Sequence, residues 1–146
     1  MSVYSTIDVR LANTSVESWR ICEAFRCGGW NPLFDDQIMY LPLGDDDEFD
    51  WKSVSQSEES LVKKELKEKS EAGETLGIVF GWQDSQCGGE FLIFPNGKIS
   101  VNLSVNRRRI ARCNRSTDVS WYVERIMTSL ENTPWQVESI SWQEHY

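Results

Sequence analysis

The sequence predicts a single α+β domain over residues 1–146, with a mostly antiparallel sheet of about five to six strands and about three helices. Three observations predict it. Strand-period and helix-period segments alternate in the first half of the chain. Three strand-like segments then follow one another from Thr75, and no stretch is long and polar enough to serve as a linker. With 40% hydrophobic residues in 146, the chain can bury one continuous core.

The elements follow in order. "YSTIDVRL" (4–11) reads as a first strand, with Tyr4, Ile7, Val9 and Leu11 as its apolar content. Thr14 and Glu17 have capping-box spacing, and Val16, Trp19, Cys22 and Phe25 recur at helical intervals until Gly28 or Gly29 ends the helix. "QIMYLPL" (37–43) predicts a second strand, with Pro42 marking an edge strand or a strand end. Ser55 and Glu58 repeat the capping-box spacing ahead of a surface helix. Its apolar anchors are only Leu61, Val62 and Leu66, and the pairs Glu59–Lys63, Lys64–Glu68 and Glu65–Lys69 set opposite charges one turn apart.

From Thr75 the period is that of strands. "TLGIVFGW", "GEFLIF" and "KISVNLSV" predict an antiparallel meander. In "FPNGK", Pro95 presets the first turn position and Gly97 supplies the left-handed one, so a three-residue loop pairs Ile93 with Ile99 and Phe91 with Val101. "RSTDVSWYVERIMTSLE" carries a wide apolar stripe of Val119, Tyr122, Val123, Ile126, Met127 and Leu130, with Thr117 or Asp118 as its cap. "WQVESISW" closes the domain through Trp135, Val137, Ile140 and Trp142, and its broken alternation predicts a bulge.

The net charge of −8 argues against a general nucleic-acid binder, since phosphate neutralisation requires clustered Lys and Arg. It suits a basic protein partner instead. The N-terminus shows no basic leader with an apolar core, and the apolar runs "LGIVFGW" and "FLIF" are too short to span a bilayer. A cytoplasmic protein without membrane contact is expected, its four cysteines (Cys22, Cys27, Cys87 and Cys113) being reduced thiols. No cofactor and no metal are expected. Cys22-x4-Cys27 lacks a zinc knuckle's spacing, and the single histidine, His145, lies at a chain end that would be frayed, leaving no base for a nucleophile.

"LGDDDEFDW" (43–51) is the most informative stretch, with Asp45, Asp46, Asp47, Glu48 and Asp50 beside Phe49 and Trp51. A Ca²⁺ loop starting at Asp45 would need Gly at its sixth position and Glu at its twelfth, where Asp50 and Gln56 stand. Aromatics among carboxylates suit a basic protein surface, the rings filling pockets while the acids steer and pair. Like charges in such a run also predict mobility in the free chain. The counterpoint is "NRRRIARCNR", with Arg107, Arg108, Arg109, Arg112 and Arg115, read as a loop that neutralises acids of the same domain.

In this whole-chain character and in "GDDDEFDW", the sequence resembles the immunity proteins of bacterial toxin systems, including those of contact-dependent growth inhibition. The resemblance implies a small cytoplasmic protein, not an enzyme, that binds and neutralises a cognate toxin domain, often a basic nuclease. The contact residues come from charge and aromaticity: Asp45, Asp46, Asp47, Glu48, Phe49, Asp50 and Trp51, with Asp35 and Asp36 of "PLFDDQ" as helpers. A DNA-mimic inhibitor of a nucleic-acid enzyme and a small metal-dependent enzyme using carboxylates or cysteines are the alternatives.

Overall fold

The computed structural model describes residues 3–13, 15–32, 34–83 and 85–146, with the side chains of Cys113 and Asn114 left aside. Three helices pack on one face of an antiparallel sheet, so the α+β class holds. The six expected strands are present as β1 (Tyr4–Leu11), β3 (Gln37–Tyr40), β5 (Leu76–Trp82), β6 (Gly88–Ile93), β7 (Lys98–Val105) and β10 (Val137–His145). Four short strands join them: β2 (Trp30–Asn31), β4 (Lys52–Ser55), β8 (Arg109–Ile110) and β9 (Cys113–Thr117). The sheet runs β10-β1-β7-β6-β5-β3-β4, with β2 also on β5, while β8 and β9 form a separate hairpin. β3 therefore has a neighbour on each side, and Pro42 marks its end rather than an edge.

The meander matches its expected register, with Phe91 opposite Val101 and Ile93 opposite Ile99. The Phe94 amide donates to the Lys98 carbonyl at 2.9 Å, which encloses Pro95–Gly97 as the loop, and Gly97 takes φ 83°. Only a residue without Cβ adopts that backbone freely. The bulge expected in the last strand is also present: Arg10 pairs with Ser139 but Leu11 with Val137, which skips Glu138.

The helices are α1 (Ser18–Cys27), α2 (Glu59–Glu71) and α3 (Val119–Glu131). Of the expected caps, Thr14 lies outside the described residues. Glu17 occupies the N-cap position of α1 and makes no side-chain cap bond; the Trp19 amide is satisfied instead by Ser70 Oγ of α2 at 3.1 Å. Ser55 accepts from the Ser57 amide and opens a 3₁₀ turn (Gln56–Glu58) that runs into α2. Asp118 stands at the N-cap of α3 but does not cap it, because its carboxylate faces Arg108 Nε at 3.3 Å; Thr117 Oγ1 bonds to Glu144 instead.

Phe91 is the hub of the core. Its ring lies 5.1 Å from Phe25 of α1, 5.0 Å from Phe80 and 5.0 Å from Trp30, in edge-on or tilted contacts. Tyr122, Ile126 and Leu130 of α3 belong to the same core, together with Ile7, Val9 and Val101 of the sheet. The last strand departs from expectation. Trp135 and Val137 pack against the core, but Ile140 and Trp142 stay 37% and 42% exposed. Both share the inner face with Val9 and Ile7, yet β10 is the outermost strand and has no strand on its other side. Replacing Phe91 by Ala is expected to cost about 3–5 kcal/mol, read as a lower urea midpoint with an unchanged slope.

Candidate functional site

The acidic stretch is the connection between β3 and β4, which pair from Gln37↔Ser55 to Tyr40↔Lys52. It is a folded loop whose backbone amides are paired, and α2 is the reason. The apolar stripe of α2 runs Val62, Leu66 and then Lys69, whose side chain is fully buried. Lys69 Nζ donates to the carbonyls of Asp45 at 2.6 Å and Pro42 at 3.0 Å, and lies 3.9 Å from the Glu74 carboxylate. Burial pushes the ammonium below the usual lysine pKa, while the charges of Glu74, Asp45, Asp46 and Glu65 act against that shift.

Carboxylates satisfy the loop's amides. Glu65 of α2 accepts from the Tyr40 hydroxyl and the Leu43 amide, and Glu74 accepts from the Gly44 amide. Asp45, only 8% exposed, accepts from the Phe49 amide at 2.9 Å and the Asp50 amide at 2.7 Å. Asp46 accepts from the Thr75 amide at 2.7 Å, which ties the loop to the start of β5. The loop thus closes around Asp45 and Lys69, with Phe49 bent through φ 55°.

The expected site residues separate accordingly. Asp45 is a structural acceptor and Asp46 is partly engaged. Asp47, Glu48, Phe49 and Asp50 face solvent, and among the described residues no hydrogen bond or ion pair engages the carboxylates of Asp47, Glu48 and Asp50. Trp51 is half-buried rather than a free anchor: a Cβ placed on Gly77 would lie 3.1 Å from its ring and 2.5 Å from Leu41, so the glycine admits both against the back of β5. Asp35 and Asp36 form the two-residue turn between Phe34 and Gln37, both at positive φ, at the Ser55 end of the hairpin. The acidic loop occupies the Lys52 end, so the structure does not bring the two acidic groups together.

Lys69, Glu65 and Glu74 are the site residues that sequence reasoning missed. Only Lys69 left a signal, because it continues the spacing of Val62 and Leu66 and so stands on the buried side of α2.

The arginine cluster is partly consumed internally, by acids other than those of the loop. Arg107 donates to Thr117 Oγ1 at 2.8 Å and the Arg115 carbonyl at 3.0 Å, and lies 3.7 Å from Glu144. Arg108 pairs with Asp118 and lies over the Trp121 ring, and Arg115 lies over Tyr146. Arg109 and Arg112 are exposed. Burial alone would raise the Glu144 pKa. Hydrogen bonds from the Thr117 hydroxyl, the Tyr146 hydroxyl and the Thr117 amide, with the Arg107 charge, more than offset it and hold the carboxyl below its ordinary value.

Among the described residues, no group of three or more His, Cys, Asp or Glu side chains converges as a metal site requires. Cys22 is buried, which pushes its thiol pKa up to about 12, far from a reactive thiolate. His145 is not frayed but paired with Tyr4 in β10, its ring 6.5 Å from the tyrosine's. Among the described residues, no helix is long and apolar enough to cross a membrane. Comparison with protein-family models, curated proteins and solved structures found no match to this chain.

Two predictions follow from this geometry. Asp45→Asn leaves one of two amides facing an NH₂ group and should cost about 1–3 kcal/mol in urea unfolding, whereas Asp47→Asn should stay within about 0.5 kcal/mol of the parent. Glu144 has a folded pKa below its ordinary 4.5, so its stabilisation is present above that pH and is lost as pH falls through the folded value. Glu144→Gln should therefore be less stable at neutral pH, by about 2 kcal/mol, and the gap should close on acidification in unfolding curves taken from pH 7 to pH 3.

Proposed function

We propose that this chain is an immunity-type binding protein of the cytoplasm that neutralises a basic, nuclease-type toxin domain by presenting the β3–β4 loop to it. One observation carries the reading: the loop is already folded around Lys69 and Asp45, with Asp47, Glu48 and Asp50 outward beside the exposed ring of Phe49. A loop ordered before encounter avoids most of the ordering cost of binding, and unpaired carboxylates steer a cationic surface towards it. Phe49 offers an apolar anchor at the centre of those charges, the composition from which binding hot spots are made. Asp45 and Lys69 shape this surface without touching the partner.

The test begins with capture from the source cell at mild salt, followed by titration with the purified partner. The expected partner is a basic domain whose toxicity is suppressed by co-expression of this chain. Asp47→Asn, Glu48→Gln and Asp50→Asn combined should weaken the complex at least tenfold and flatten its salt dependence, with the melting temperature unchanged. Equal affinity of the triple variant at low salt would remove the loop from the interface.

A further inference from the structure

The two outer strands of the sheet are unlike. β4 has four residues and begins with Lys52, the usual protection of an edge: a short run with a charge that resists burial against another strand. β10 has nine residues, VESISWQEH, with neither proline nor lysine. Its bulge lies at the Val137 end, so pairing from Ser139 to His145 is regular. Ile140 and Trp142 stay partly exposed on its inner face, the Trp142 indole N–H donating to Ser5 Oγ at 2.9 Å. At the Val137 end of the strand a cleft of about 660 Å³ lies against α3, lined by Met127, Leu130, Trp135 and Val137 together with Glu124 and Glu131.

We infer that β10 pairs with β10 of a second copy of this chain, antiparallel about a two-fold axis at Ser141, so that one sheet runs through both protomers. The order Ile-Ser-Trp selects this occupant. An axis normal to the sheet keeps the faces continuous, so Ile140 and Trp142 meet only residues of their own face. With the axis at Ser141, Ile140 of each copy lies opposite Trp142 of the other, and Ser139 opposite Gln143. With the axis at Ile140, Trp142 would face Glu138; with the axis at Trp142, Ile140 would face Glu144. Each of those two registers sets one apolar residue against its own copy and the other against a glutamate, whereas the Ser141 register sets apolar against apolar twice. Like charges then meet only at the margin, Glu138 opposite Glu144, where Glu144 is already enclosed by Thr117, Tyr146 and Arg107. The new ladder satisfies the outward amides and carbonyls of β10. Each copy carries a charge of −8, so the dimer tightens as salt screens the repulsion, the opposite trend to that of a complex with a basic partner.

Light scattering on the eluting protein, from micromolar to submillimolar concentration, tests this directly. The expected mass is twice 16.9 kDa at high salt, and Ile140→Lys should return it to 16.9 kDa with unchanged circular dichroism and melting temperature. The register has its own readout. In a background with both Cys27→Ser and Cys113→Ser, Ser141→Cys should form a disulfide-linked dimer on oxidation because residue 141 faces its own copy, and His145→Cys should not. A mass of 16.9 kDa at every concentration and salt would overturn the proposal and leave the edge to an unrelated strand. A dimer indifferent to Ile140→Lys, or one cross-linked equally through residue 145, would overturn it too.

Discussion

A fully buried lysine ammonium must be surrounded by acceptors, and that requirement at Lys69 shapes the acidic end of this molecule. Its three neighbours, the carbonyls of Pro42 and Asp45 and the carboxylate of Glu74, come from two separate stretches of chain. They are brought together because α2 docks its Val62–Leu66 stripe on the sheet and carries Lys69 beneath the loop. A methionine there would pack against the same surface but offer the two carbonyls no donor. The lysine ties the position of the helix to the shape of the loop.

Five carboxylates in six positions can fold because they are not equivalent. Asp45 turns inward and accepts two amides of its own loop, and Asp46 reaches back to Thr75. Glu65 and Glu74 of the α2 segment supply acceptors for the first half of the loop. What remains is an outward set, Asp47, Glu48 and Asp50, with repulsion relieved into solvent and the backbone between them already paired. Charge that looks like a uniform run divides into structural acceptors and a free anionic surface.

Acids direct the far end of the sheet as well. The seven residues of β5 put the Asp46–Thr75 contact and the Trp82 end about 20 Å apart, at the strand's rise per residue. Near Trp82, Arg125 lies between the rings of Trp82 and Trp121, and Arg108 covers Trp121 in turn. Glu144 draws Thr117, Tyr146 and Arg107 around the end of β10. Glu144 thereby withdraws Thr117 from capping α3, Arg108 takes Asp118, and the helix starts without either cap. Both cap candidates thus bond a charged partner, and charge-assisted hydrogen bonds are the stronger ones.

Local chemistry made much of this fold legible. Period and turn residues identified six strands and three helices, and Pro95 and Gly97 with the flanking apolar pairs specified the β6–β7 register next to the turn. β2 and β8, two residues each, are too short to show a period, and the polar β4 shows none. The charge density and the aromatics of the candidate site were visible too, as was the bulge in β10. Which acids point inward, that Trp51 lies on Gly77, and that Ile140 and Trp142 stay partly exposed were decided by the tertiary structure alone. The reason is physical: spacing along a chain determines which side chains share a face, but what that face meets depends on strand order and helix docking, and those are settled between residues far apart in sequence.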